Sequence, residues 1–75
     1  MRNIQLTAHI EQDTDTGLYI GIVPSIPGAH SQARTLDELQ ANLKEVVELC
    51  FEEMSEEEIL ALPSFVGTQS FSVAV

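Results

Sequence analysis

One stretch constrains the fold of this chain more than any other. Between residues 36 and 53, Leu36, Leu39, Leu43, Val46, Val47 and Cys50 recur at three- and four-residue steps. That spacing lays them in a single stripe along an α-helix. Thr35 stands just before the run with Glu38 three residues on, the pairing in which a hydroxyl and a carboxylate each take up a free backbone N–H. Asp37 and Glu38 put negative charge in the first turn, where the helix dipole favours it. A helix with one apolar stripe has to cover one apolar surface, so the rest of the chain must supply a sheet with one apolar side.

The flanking segments read that way. Residues 3–11 alternate, with Ile4, Leu6, Ala8 and Ile10 on one face and polar residues on the other, which is the period of a half-buried strand. "DTDTG" at 13–17 is a turn whose Gly17 can take positive φ. Residues 18–23 form a second, antiparallel strand, with Leu18, Ile20 and Ile22 in one row and Tyr19, Gly21 and Val23 in the other. The expectation sets Tyr19 and Val23 on the outer face, among Asn3, Gln5, Thr7 and His9.

"VPSIPGAH" then interrupts the sheet. Pro24 cannot donate to a ladder, and Pro27-Gly28 is a turn dipeptide. Residues 29–34 make a short third strand. After the helix, Ser55 and Glu58 cap a second helical segment over 56–62, which Pro63 ends. Residues 65–75 alternate again, with Phe71, Val73 and Val75 on one face, and read as a fourth strand. The order is βββαβ, an α+β fold of two layers with one helix packed on one face of the sheet. A right-handed crossover places the fourth strand beside the first, in sheet order 3-2-1-4.

All of this fits one domain over residues 1–75. A chain of 75 residues buries only about 60% of its unfolded surface, and such chains are commonly reinforced by disulfides, metals or self-association. Cys50 is the sole cysteine and lies on the apolar stripe, where a thiol packs as a small inert hydrophobe. Self-association, as a dimer or tetramer, is therefore the expected reinforcement. There is no apolar run long enough to cross a bilayer and no signal-peptide core, and no cysteine framework, so the expected location is cytoplasmic.

Charge narrows the partners. Twelve carboxylates stand against Arg2, Arg34 and Lys44, for a net charge of −9. Such a surface repels phosphate backbones, so direct nucleic-acid binding is not expected, whereas a basic protein would be steered toward it. Glu45, Glu48 and Glu52 lie at helical spacing and are either a solvated face or an acidic stripe for that partner.

Other constellations give no catalytic or metal site. A calcium loop starting at Asp13 needs a bidentate glutamate twelve positions along, where Pro24 stands. His9 and His30 are two possible ligands without a third. Two-metal phosphodiester cleavage needs converging carboxylates, and the first strand offers only Glu11. The expectation is a protein that is not an enzyme and needs no cofactor. Asn42, a poor helix-interior residue, is expected to bond a carbonyl of the Pro-Gly turn.

Residues 17–49, "GLYIGIVPSIPGAHSQARTLDELQANLKEVVEL", resemble the HicB antitoxin family. The match is carried by Tyr19, Pro24, Ile26, Pro27, Gly28, Thr35, Glu38, Asn42 and Glu45. The resemblance implies a partial ribonuclease-H-like βββαβ fold. It also implies a place in a type II toxin–antitoxin pair, opposite a small basic HicA toxin that cleaves mRNA. The chain departs from the family pattern at Ala29, where cysteine is usual, and at Ala33-Arg34, where Gly-Asp is usual. Longer members append a DNA-binding domain, and none is expected within these residues. The candidate contact residues are Tyr19, Pro24, Ile26, Pro27 and His30 around the turn, with Glu45, Glu48 and Glu52 on the helix. The alternative function is a self-associating protein-binding module of the same fold with a different partner.

Overall fold

The structure, a computed structural model, describes residues 4–75. Three short strands lead: β1 (His9–Gln12), β2 (Tyr19–Ile22) and β3 (His30–Ala33), followed by helices α1 (Leu36–Glu52) and α2 (Glu56–Leu60). The strands form one antiparallel sheet in the order β1-β2-β3. Helix α1 lies across β2 and β3, giving the expected two-layer α+β arrangement.

Local chemistry explains where each element begins and ends. The turn after β1 is closed by Asp13, whose carboxylate accepts the Asp15 N–H at 2.9 Å and the Thr16 hydroxyl at 3.2 Å. Gly17 completes it at φ +75°, a conformation an L side chain resists. Thr35 caps α1 by accepting the Glu38 N–H at 3.1 Å. Ser55 and Glu58 form a reciprocal capping box on α2.

The core consists of Val23, Ile26, Ala29, Ala33, Leu39, Leu43 and Val47. Leu39 is fully buried. Leu6, Ala8, Tyr19, Val46, Cys50, Phe51 and Leu62 pack around this centre.

The structure corrects four expectations. First, the helix covers the opposite row of β2. Val23 is buried and Tyr19 packs on the core, while Ile22 is 47% exposed. The cause is Gly21: a Cβ there would lie 2.8 Å from a Leu43 methyl and 3.2 Å from a Leu39 methyl. Only the row with the missing side chain lets the helix come this close. Second, the first strand is paired only over His9–Gln12. Its partner β2 ends at Ile22, opposite His9, and the chain turns away at Pro24. Residues 4–8 thus continue the alternation with no ladder to join; of the expected span, Asn3 lies outside the described residues.

Third, residues 63–75 form no strand, so neither βββαβ nor the order 3-2-1-4 is completed within this chain. Phe71 and Val73 stand 82% and 71% exposed. Fourth, Asn42 is half-buried, and among the described residues its side chain bonds no carbonyl of the turn. Among the described residues no helix is long and apolar enough to cross a membrane.

Candidate functional site

The turn between β2 and β3 is built from backbone outward. Val23 N–H donates to the Ala29 carbonyl at 2.9 Å, Ile26 N–H to Val23 at 3.1 Å and Ala29 N–H to Ile26 at 3.1 Å. Every third residue therefore points inward: Val23 and Ile26 are 3% exposed and Ala29 is 1%. Of the residues between them, Pro24, Pro27 and Gly28 face solvent and Ser25 is half-buried. Two prolines fix φ, and Gly28 supplies the left-handed step at φ +83°. The result is a rigid knob whose exterior is formed mainly by Pro24, Pro27 and Gly28, anchored by its own apolar side chains in the core.

His30 leaves this knob as the first residue of β3 and sits on the sheet face away from the helix. The register sets it opposite Ile22, which lies opposite His9, so the two histidines flank Ile22 in one row. The adjacent row on that face is Glu11, Ile20 and Gln32. His9 Nε2 and Glu11 Oε1 approach to 3.4 Å. Since β2 separates the two histidines, their backbones are two strand spacings apart, about 10 Å. Among the described residues no group of three or more His, Cys, Asp or Glu side chains converges to hold a metal.

The eight contact candidates thus fall on different surfaces. Pro24, Pro27 and His30 cluster at the exposed turn and its adjoining sheet face. Ile26 is buried and acts as the anchor of the knob. Tyr19 is half-buried on the helix side of the sheet. Glu45, Glu48 and Glu52 are exposed on α1, in the other layer, so one flat partner surface does not span both groups.

Charge follows the same division. All carboxylates except those of Glu11, Asp13 and Asp15 lie between Asp37 and Glu58, with Lys44 the single basic residue among them. The helical layer is the acidic one. The outer sheet face carries Ile20, Ile22, two histidines, Gln32 and one glutamate. Sequence reasoning missed this face because it assigned Tyr19 and Val23 to it; Gly21 was the signal that reverses the assignment.

Comparison with known proteins agrees with the residue pattern. Residues 6–71 match the family model described as HicB_like antitoxin of bacterial toxin-antitoxin system. A UPF0150 protein of Thermotoga maritima is 40% identical over 75 residues, covering 97% of each chain. A UPF0150 protein of Synechocystis is 45% identical over 64 residues, covering 85% of this chain and 87% of the relative. No solved structure gives a significant match. With nearly the whole described fold inside the matched span, including the proline knob and the capped acidic helix, the chain belongs to the family of HicB-like antitoxins.

Proposed function

We propose that this protein neutralises a small basic HicA-type toxin, an mRNA-cleaving ribonuclease, by binding it through the acidic helical layer. The observation that carries the reading is the one-sided charge. The segment from Asp37 to Glu58 holds nine carboxylates, the twelve of the chain less Glu11, Asp13 and Asp15, against Lys44 alone. Each of those nine is exposed. An RNA-cleaving protein must present cations to its substrate, and a dense carboxylate surface competes for the same cations. Glu45, Glu48 and Glu52 are the contacts assigned to this face. Pro24, Pro27 and His30 form a preorganised second contact that loses little entropy on binding.

The protein contributes no catalytic step in this reading, takes no cofactor, binds no nucleic acid directly and works in the cytoplasm as a homo-oligomer.

Co-expression with a HicA-type toxin tests the reading. Growth rescue and co-purification are expected, with affinity falling steeply as salt rises. The triple variant Glu45→Lys, Glu48→Lys, Glu52→Lys should weaken the complex by more than about tenfold, since each reversal opposes the partner's charge. Unchanged binding by that variant removes the helical layer from the interface. A tight, sequence-specific shift of DNA by this chain alone would contradict the absence of nucleic-acid binding.

A further inference from the structure

We propose that residues 69–75 form an exchanged arm: in a dimer, each copy lays this segment along the free edge of β1 in the other copy, supplying the fourth strand that the single chain lacks. The inference needs only this chain and stands apart from the toxin-binding reading.

The receiving site is visible on the sheet. Strand β1 is bonded to β2 on one side only, and residues 4–8 before it are unpaired in any ladder. Helix α1 lies over β2 and β3, so its flank beside β1 overhangs open space. A groove of about 860 Å³ runs there, walled by Leu6, Ala8 and Ile10 on the sheet side and Leu43, Val47 and Phe51 on the helix side, with Lys44 and Glu48 also on its helix side. Backbone donors and acceptors along an open edge, beside an apolar trough, are the receptor for an added strand.

The arm has the matching pattern. Phe71, Val73 and Val75 share one face of an extended segment, and Ser70, Ser72 and Ala74 the other. Their exposure, 82% for Phe71 and 71% for Val73, marks an apolar row with no cover in the single chain. An apolar side turned to the groove and a small, mostly polar side turned to solvent is what an edge strand under a helix requires.

Charge selects a second copy as the occupant. Copies carrying −9 each repel one another wherever acidic surfaces meet. No charged residue occurs from Ile59 to Val75, and His9 is the one titratable group in residues 3–10. The arm and residues 3–10 of the receiving edge thus both lack carboxylate side chains, and they can meet without the repulsion that acidic surfaces bring.

Geometry points outward rather than back. Residues 63–68 stand across a pocket from Thr7–Ile10 and Pro24-Ser25 of their own chain, and residues 69–75 beyond them are exposed. The radius of gyration is 14.2 Å, against about 11 Å for a compact chain of this length. Reciprocal exchange closes under a two-fold axis, so the assembly stops at two arms and two grooves.

Sedimentation equilibrium on the full chain at micromolar to submillimolar concentration should give twice the mass of one chain. Val73→Asp on the arm and Ile10→Asp on the groove should each raise the dimer dissociation constant by more than about tenfold, because each buries an unpaired carboxylate. Both positions are exposed in the single chain, so far-ultraviolet circular dichroism should show the helix intact in each variant. In a mixture of labelled and unlabelled copies, isotope-filtered contacts should join the Phe71 ring of one to Phe51 of the other. A monomer, a dimer that both variants leave intact, or arm contacts confined within one copy would overturn the proposal. So would an arm that becomes ordered only when a different, basic protein is added.

Discussion

Gly21 decides which side of β2 the helix takes. Its place between Tyr19 and Val23 looks, by hydropathy alone, like a weak spot in the more polar row, and on that basis the row reads as solvent-facing. In the fold the missing side chain is the seat for Leu39 and Leu43. The sequence therefore contained the answer, but in the form of volume rather than polarity. Gly21→Val should cost about 1–3 kcal/mol, measured by urea unfolding, because a branched side chain displaces both leucines. Gly21→Ala should cost less, since its Cβ meets the ends of flexible leucine side chains. A neutral Gly21→Val would mean that the helix is not seated there.

Among the elements, α1 was legible because its signals are local. The stripe, the Thr35 cap and the acidic first turn lie within a few residues of one another and need no partner to be read. The two helix caps should nonetheless differ in consequence. Thr35→Ala should lower stability by about 1 kcal/mol, because α1 carries the buried Leu39, Leu43 and Val47. Ser55→Ala should change global unfolding by less than about 0.5 kcal/mol and only fray α2, which buries no residue. Equal effects in denaturant titrations would show that α2 is part of the cooperative core. The strands were less legible, because period-two alternation says which residues could face a core but not whether a neighbour is in reach. Residues 4–8 and 69–75 alternate as strands do, and neither segment finds a ladder in the single chain. The contact candidates were readable to a similar depth. The exposed prolines and glutamates follow from turn chemistry and helical spacing, whereas the burial of Ile26 depends on how the knob closes on itself.

For the molecule as a whole, charge sets the dominant condition. With −9 held on a chain of 75 residues and most of it on one layer, the folded state stores self-repulsion that the expanded chain relieves. Raising sodium chloride from about 10 mM to about 1 M shortens the screening length from about 30 Å to about 3 Å. The melting temperature should rise across that range at fixed pH and protein concentration. A fall would show that attractive ion pairs, rather than crowded carboxylates, govern stability.

The proline knob adds a mechanical link between recognition and endurance. In the proposed complex its outer residues are the handle a partner would grasp, while its inner residues, Val23, Ile26 and Ala29, are buried in the core. A partner holding the handle also holds those inner residues in, so capture by that partner makes the bound chain slower to open and slower to be degraded than the chain left alone.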